Sequence, residues 1–159
     1  VTASGPGLPG LGLPGLDPVD ADLVGQLQRD GRMSVNALAE AVGVSRANAY
    51  RRLDRLADDG VITGYRAEVD PAKVGLPVTV LVLIGVQQRR WQDVQRSLGD
   101  LPGLSYLAAT TGEFDFLALV RLSDVSQLRD VVLEHLQTTA GVVSTRTVFV
   151  LDESGSPRP

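Results

Sequence analysis

Residues 34 to 60 read SVNALAEAVGVSRANAYRRLDRLADDG, and the fold of the first half of the chain turns on them. Ser34 is a helix-capping residue, and Val35, Leu38, Ala39 and Val42 follow at the i, i+3, i+4, i+7 spacing of one apolar helix face. Gly43 stops that helix, because glycine adopts the left-handed conformation that closes a C-terminus. Ser45 then caps a second helix that ends at Gly60. On it Ala49, Leu53 and Leu56 share an inward face, and Ala47, Asn48, Tyr50, Arg51, Asp54 and Arg55 make up the other. Two short helices joined through a Gly43-Val44 turn have helix-turn-helix spacing, and the outward face of the second has the chemistry of a DNA reader. Arg forks onto guanine, Asn onto adenine, and a small Ala leaves room for a thymine methyl. Ser34, Ser45 and the N–H groups at the two helix starts suit phosphates.

Upstream, LDPVDADLVGQLQRDG (residues 16–31) predicts a packing helix, with Asp17 at the cap, Pro18 in the first turn and Gly31 as the stop. Residues 1–15, uncharged and rich in Gly, Pro and Leu, read as a flexible tail. Downstream the period changes. Val61 to Val69 alternates as a strand does, and Asp70-Pro71 opens a turn leading to PVTVLVLIGV. The order from there is strand (78–87), helix (91–99), strand (104–111), strand (115–122), helix (124–138), strand (143–151), a βαββαβ arrangement of ferredoxin-like type. A shift of 38 residues supports it, laying Val78 on Phe116, Trp91 on Arg129 and Gly103 on Gly141.

Composition narrows the function. The chain has 159 residues, 43% hydrophobic and 21% charged, close to a soluble globular average. With no Cys there can be no thiolate metal site or Cys nucleophile, and with a single His, His135, a His-rich metal cluster or a His triad is hard to build. No metal, cofactor or catalytic residue is expected, and His135 is given no role. Trp91 is expected to anchor its helix against the sheet or a neighbouring subunit rather than to stack on a ligand. The longest apolar run, Val78 to Val86, is too short to span a membrane, so the reading is a cytoplasmic protein. A net charge of −4 argues against nucleic acid only on average, since Arg46, Arg51, Arg52 and Arg55 face Asp54 alone between Ser45 and Leu56, a local excess of three.

The stretches LDPVDADLVGQLQRDGR, ALAEAVGVS, YRRLDRLADDGVITGY, VDPAKVG, LPGL, TTGEFDFLALV and AGVVSTRTVFVL together resemble the Lrp/AsnC (feast/famine) family of transcription regulators from Leu16 to Leu151. The resemblance implies an α+β protein. It would have a winged helix-turn-helix domain (16–62), a strand linker (63–76), a ferredoxin-like domain that dimerises and senses a small molecule (77–152), and a tail from 153. Dimers that assemble further, often as four dimers in a ring, are implied as well. The recognition helix corresponds to Arg46 through Ala57. Ala47, Asn48 and Arg51 are expected at base edges of double-stranded DNA, with Tyr50 on the same face, and Ser34, Ser45, Arg46, Arg52 and Arg55 toward phosphates. Arg52, flanking the apolar face, is the one placed to pair with a neighbouring acid instead.

Family members bind an amino acid or related effector where the loop between the second and third strands of the C-terminal domain meets a neighbouring subunit. Here that loop is Thr111, Gly112, Glu113, Phe114 and Asp115. Gly112 would let backbone N–H groups approach a carboxylate and Asp115 would hold an ammonium. Phe114 stands where the family often has Tyr, so a hydroxyl contact is missing. Thr145 and Thr147, two apart on the last strand, are expected to line the pocket. Read from the residues alone, the same loop is an ordinary hairpin turn. The alternative for the whole protein is a broadly binding DNA-organising protein with little effector response, and no general acid, base and nucleophile set points to an enzyme.

Overall fold

The computed structural model describes residues 15–153 and divides the chain into two compact units at Ala67 and Glu68. Of the expected tails, 1–15 and 153–159, residues 1–14 and 154–159 lie outside the described residues, and Glu153 is not frayed: both its carboxylate oxygens accept from the Arg121 guanidinium at 3.0 Å.

The first unit is three helices: α1 (Pro18–Arg29), α2 (Val35–Val42) and α3 (Arg46–Asp58). Each begins on a side-chain cap. Asp17 accepts the N–H of Asp20, Ser34 that of Ala37 and Ser45 that of Asn48, at 3.0–3.2 Å. Gly43, at φ 75°, ends α2 and turns the chain into α3, and the Val44 N–H closes the turn on Ala39 O at 2.9 Å. Leu23, Val24, Leu38, Ala39, Ala49 and Leu56 are the buried apolar residues of the three helices. The strand expected over Val61–Val69 does not form, and among the described residues the unit has no wing ladder. Alternation gives a segment the capacity to pair, but strand structure needs a neighbour's N–H and C=O groups. Here Val61, Tyr65 and Val69 are exposed and the segment bonds to no ladder.

The second unit is a four-stranded antiparallel sheet in the order β2-β3-β1-β4, from β1 (Val78–Val86), β2 (Leu104–Ala109), β3 (Phe116–Leu122) and β4 (Val142–Phe149). Helix α4 (Trp91–Gly99) and helix α5 (Val125–Arg129), which continues as a π-helix over Asp130–Leu136, supply the crossovers. Val80, Val82, Ile84, Phe116, Ala118 and Val120 on one sheet face pack with Val94, Leu98, Val131 and Leu136 from the helices. Trp91 joins this core with its ring centroid 4.9 Å from that of Phe116. A plain α-helix through 138 was expected. At the α spacing, Val131 and Leu136, five residues apart, would point well away from each other, and the wider π turn lets both reach the sheet.

The other sheet face carries Leu81, Leu83 and Leu117 half-buried, and neither helix of the unit packs on it. The β1–β4 register decides which side chains of the last strand share which face. Thr145 lies opposite Ile84 and Thr147 opposite Val82, whereas Arg146 lies opposite Leu83. The two threonines therefore share the helix-covered face, and Arg146 stands on the other. The same register shifts at Gly85/Val86, leaving a bulge there.

Candidate nucleic-acid and effector interfaces

On α3 the base-reading candidates are accessible and pre-arranged. Ala47 and Arg51 are exposed, Asn48 is half-buried, and an Arg51 guanidinium N–H donates to Asn48 Oδ1 at 2.9 Å. That bond holds Arg51 against the helix while leaving the Asn48 amide N–H₂ free to donate. Arg46 lies with its guanidinium carbon 5.4 Å from the centroid of the exposed Tyr50 ring, a cation–π contact that orients the first arginine of the helix. Ser34 and Ser45 sit at the helix starts with their oxygens occupied as caps, and each keeps a hydroxyl hydrogen to donate.

The two remaining arginines are not free. Arg52 Nη1 lies 2.6 Å from Asp17 Oδ2 and 2.8 Å from Asp20 Oδ1. Arg55 Nη2 donates to Asp20 Oδ2 and lies 3.7 Å from Asp17 Oδ2. Of the two readings open for Arg52, phosphate or a neighbouring acid, the structure has the acid: its side chain is 21% exposed and turned to the first turn of α1. Arg55 shares the acids but remains 54% exposed. Sequence reading missed Asp17 and Asp20 as partners because they lie 32 to 38 residues from the arginines and look like ordinary first-turn acids. The Arg52 hydrogen bond, helped by the Asp20 N–H, holds the Asp17 carboxyl down at about 2, and the same acids push the Arg52 pKa up.

In the second unit the 110–115 loop is tied at both ends. Thr110 N–H donates to Asp115 O at 2.9 Å and Asp115 N–H to Ile84 O at 2.9 Å. Asp115, expected to hold an ammonium, is engaged within its own unit. Its Oδ2 accepts the Val86 N–H at 2.7 Å and its Oδ1 the Gln88 amide at 3.3 Å. The physical reason is the bulge at Gly85/Val86, which leaves a backbone donor that the Asp115 side chain satisfies. Thr111, Gly112 and Glu113 are exposed, and Gly112 holds φ 128° with open space where a side chain would stand.

The residue that meets this loop is Arg146, which the sequence reading passed over. Its Nη2 lies 3.5 Å from Glu113 Oε1 and its guanidinium carbon 5.2 Å from the Phe114 ring centroid, with the side chain 62% exposed. Thr145 and Thr147, expected beside the loop, turn to the opposite face because side chains alternate along a strand. The signal was available: the residue between two same-facing threonines takes the other face. Among the described residues no three His, Asp, Glu or Cys side chains gather as a metal site requires.

Comparison with known proteins bears on both units. Residues 16–57 match the AsnC-type helix-turn-helix domain, and residues 79–158 match the Lrp/AsnC ligand binding domain. The transcriptional regulator AldR of Mycobacterium tuberculosis is 32% identical over 150 residues, covering 91% of this chain and 82% of that protein. The DNA-binding transcriptional activator DecR of Escherichia coli is 31% identical, covering 87% of this chain and 93% of its own. A Neisseria meningitidis transcriptional regulator, solved as its complex with L-methionine, superposes with a TM-score of 0.82 at 29% identity, covering 87% of this chain and 91% of that one. Both units thus match one family in the order that family has them, and the chain belongs to the Lrp/AsnC family of DNA-binding transcriptional regulators.

Proposed function

We propose that this regulator reads double-stranded DNA through Ala47, Asn48 and Arg51 and answers to an amino acid or related carboxylate effector, working in the cytoplasm as a homo-oligomer with no catalytic activity. The observation that carries the effector reading is the position of Arg146. An exposed guanidinium held on the Phe114 ring, beside a glycine loop with open backbone, is a ready partner for a carboxylate. Glu113 occupies that guanidinium at 3.5 Å, a loose pairing that an incoming carboxylate can displace. The methionine complex of the Neisseria relative supports the same class of ligand.

Two features support self-association. The sheet face bearing Leu81, Leu83 and Leu117 has no helix of its own unit over it, and residues 63–69 join no strand ladder. A second copy of the chain fits both, and paired heads would bind sites with two-fold symmetry. Ser34, Ser45 and Arg46 are assigned to phosphates.

The test is fluorescence anisotropy on DNA from upstream of the protein's own gene against a scrambled duplex, with and without single free amino acids. Preference for the upstream duplex, changed severalfold by one amino acid, supports the reading. Equal binding to both duplexes with no amino-acid effect overturns it in favour of a DNA-organising protein.

A further inference from the structure

The sequence places four arginines on α3, but the structure divides them into two pairs with different electrostatic standing. Asp20 is the pivot. Its side chain is 3% exposed, so water does little to discharge it, and both its oxygens are taken by guanidinium groups, Oδ1 by Arg52 and Oδ2 by Arg55. Asp17, 2.6 Å from Arg52, adds a second carboxylate. Two acids against two arginines make Asp17, Asp20, Arg52 and Arg55 a neutral cluster, even though Arg55 still reaches solvent. The N-terminal half keeps its charge. Arg46 rests on a neutral ring and Arg51 on a neutral amide, and neither has an acid partner among the described residues.

We propose that Asp20 is a positioning residue for DNA binding: by neutralising Arg52 and Arg55 it confines phosphate attraction to the N-terminal half of α3, so that affinity for arbitrary duplex stays low. A buried carboxylate opposite the outward arginines acts as an internal stand-in for a DNA phosphate. Phosphate contacts raise affinity for every sequence alike, whereas base contacts separate one sequence from another. Holding Arg55 back therefore lowers affinity for arbitrary duplex and leaves discrimination to the base contacts. The inference rests on α3 being the DNA-facing helix, and its test separates the two.

Salt dependence reads the difference. With the full oligomer, log K against log salt is measured on the upstream and scrambled duplexes for the native chain, Asp20→Asn, Arg46→Gln, Arg55→Gln and Asp20→Asn with Arg55→Gln. Asp20→Asn is expected to tighten binding to the scrambled duplex and steepen the slope by about 0.9 per DNA-bound head. Adding Arg55→Gln should bring that slope back. If Asp20 only holds the fold together, Asp20→Asn lowers Tm and weakens both duplexes with the slope unchanged, and the proposal is overturned. Should Asp20→Asn fail to fold by circular dichroism, the single arginine variants decide. Arg46→Gln should flatten the slope by about 0.9 per head and Arg55→Gln by clearly less. Equal losses at the two positions overturn the proposal, and no loss at either overturns the assignment of α3 itself.

Discussion

Arg146 shows how much one side chain's direction decides. Its charge is useful only because strand alternation turns it away from the core and onto Phe114, while Thr145 and Thr147 go the other way. If it holds the carboxylate of the effector, Arg146→Gln removes one charged hydrogen-bond donor, which is worth about tenfold to a hundredfold in affinity. The expected outcome is a rightward shift of that size in the effector titration, with DNA binding in the absence of effector unchanged. Asp17 carries a different prediction. Its pKa of about 2 lies below the ordinary 3.8, so the stability it contributes is complete above the ordinary value and is lost as pH falls through the lowered one. Asp124, bonded by the hydroxyls of Ser126 and Ser123 and by the Gln127 N–H, is also held at about 2 and adds the same limb in the second unit. Urea midpoints should be flat with respect to these groups above about pH 5 and fall below about pH 4, and Asp17→Asn should remove the acid limb of the first unit only. Individual contacts such as these were the least legible part of the sequence. Nothing local says that Asp20 meets Arg55, 35 residues on, or that Asp115 is needed to satisfy a bulge at Val86.

Elements were far more legible, because their signals are local. Asp17, Ser34 and Ser45 each cap the helix they were expected to cap, and the strands of the second unit form within a few residues of where alternation and β-branched content put them. Legibility failed where an element depends on something distant. Val61–Val69 needed a pairing partner, and the π-helical widening after Arg129 depends on how Val131 and Leu136 meet the sheet. Glycines separate two kinds of constraint at this scale. Gly43, at φ 75°, has nothing within 4 Å of where a Cβ would stand, so Gly43→Ala should cost about 1–2 kcal/mol for the left-handed backbone alone. Gly103, at φ 74°, would in addition drive its Cβ into the carbonyl oxygen of Arg121, whose own N–H donates back to Gly103 O at 2.8 Å. Gly103→Ala should therefore destabilise the second unit well beyond the Gly43→Ala loss, read as the difference in chemical-denaturation midpoints. Gly141 is crowded in the same way, with Arg90 Cβ at 2.8 Å, so the 38-residue repeat keeps its helix-exit glycines for the same steric reason.

At the scale of the molecule, two units of different character sit in one chain: a three-helix head whose outward helix is chemically a DNA reader, and a sheet unit with one face left to its strands. If a second copy covers that face, Leu83→Asp places a charge at the centre of the contact and should convert the oligomer to monomer by sedimentation. DNA affinity should then fall by at least about tenfold, because two tethered heads bind as an intramolecular pair and one head cannot. Circular dichroism should be unaltered, since Leu83 lies on the face opposite the Val82 and Ile84 core.

The bare segment between Val61 and Val69 also governs where the chain can be cut. Exposed backbone with no ladder bonds is what a protease active site accepts, and Arg66 stands in the middle of it. Brief trypsin digestion of dilute protein should nick the chain after Arg66 before any site inside a helix or strand. If copies pair through this segment, the nick should fade as protein concentration rises, and the rate of one peptide-bond hydrolysis becomes a gauge of assembly.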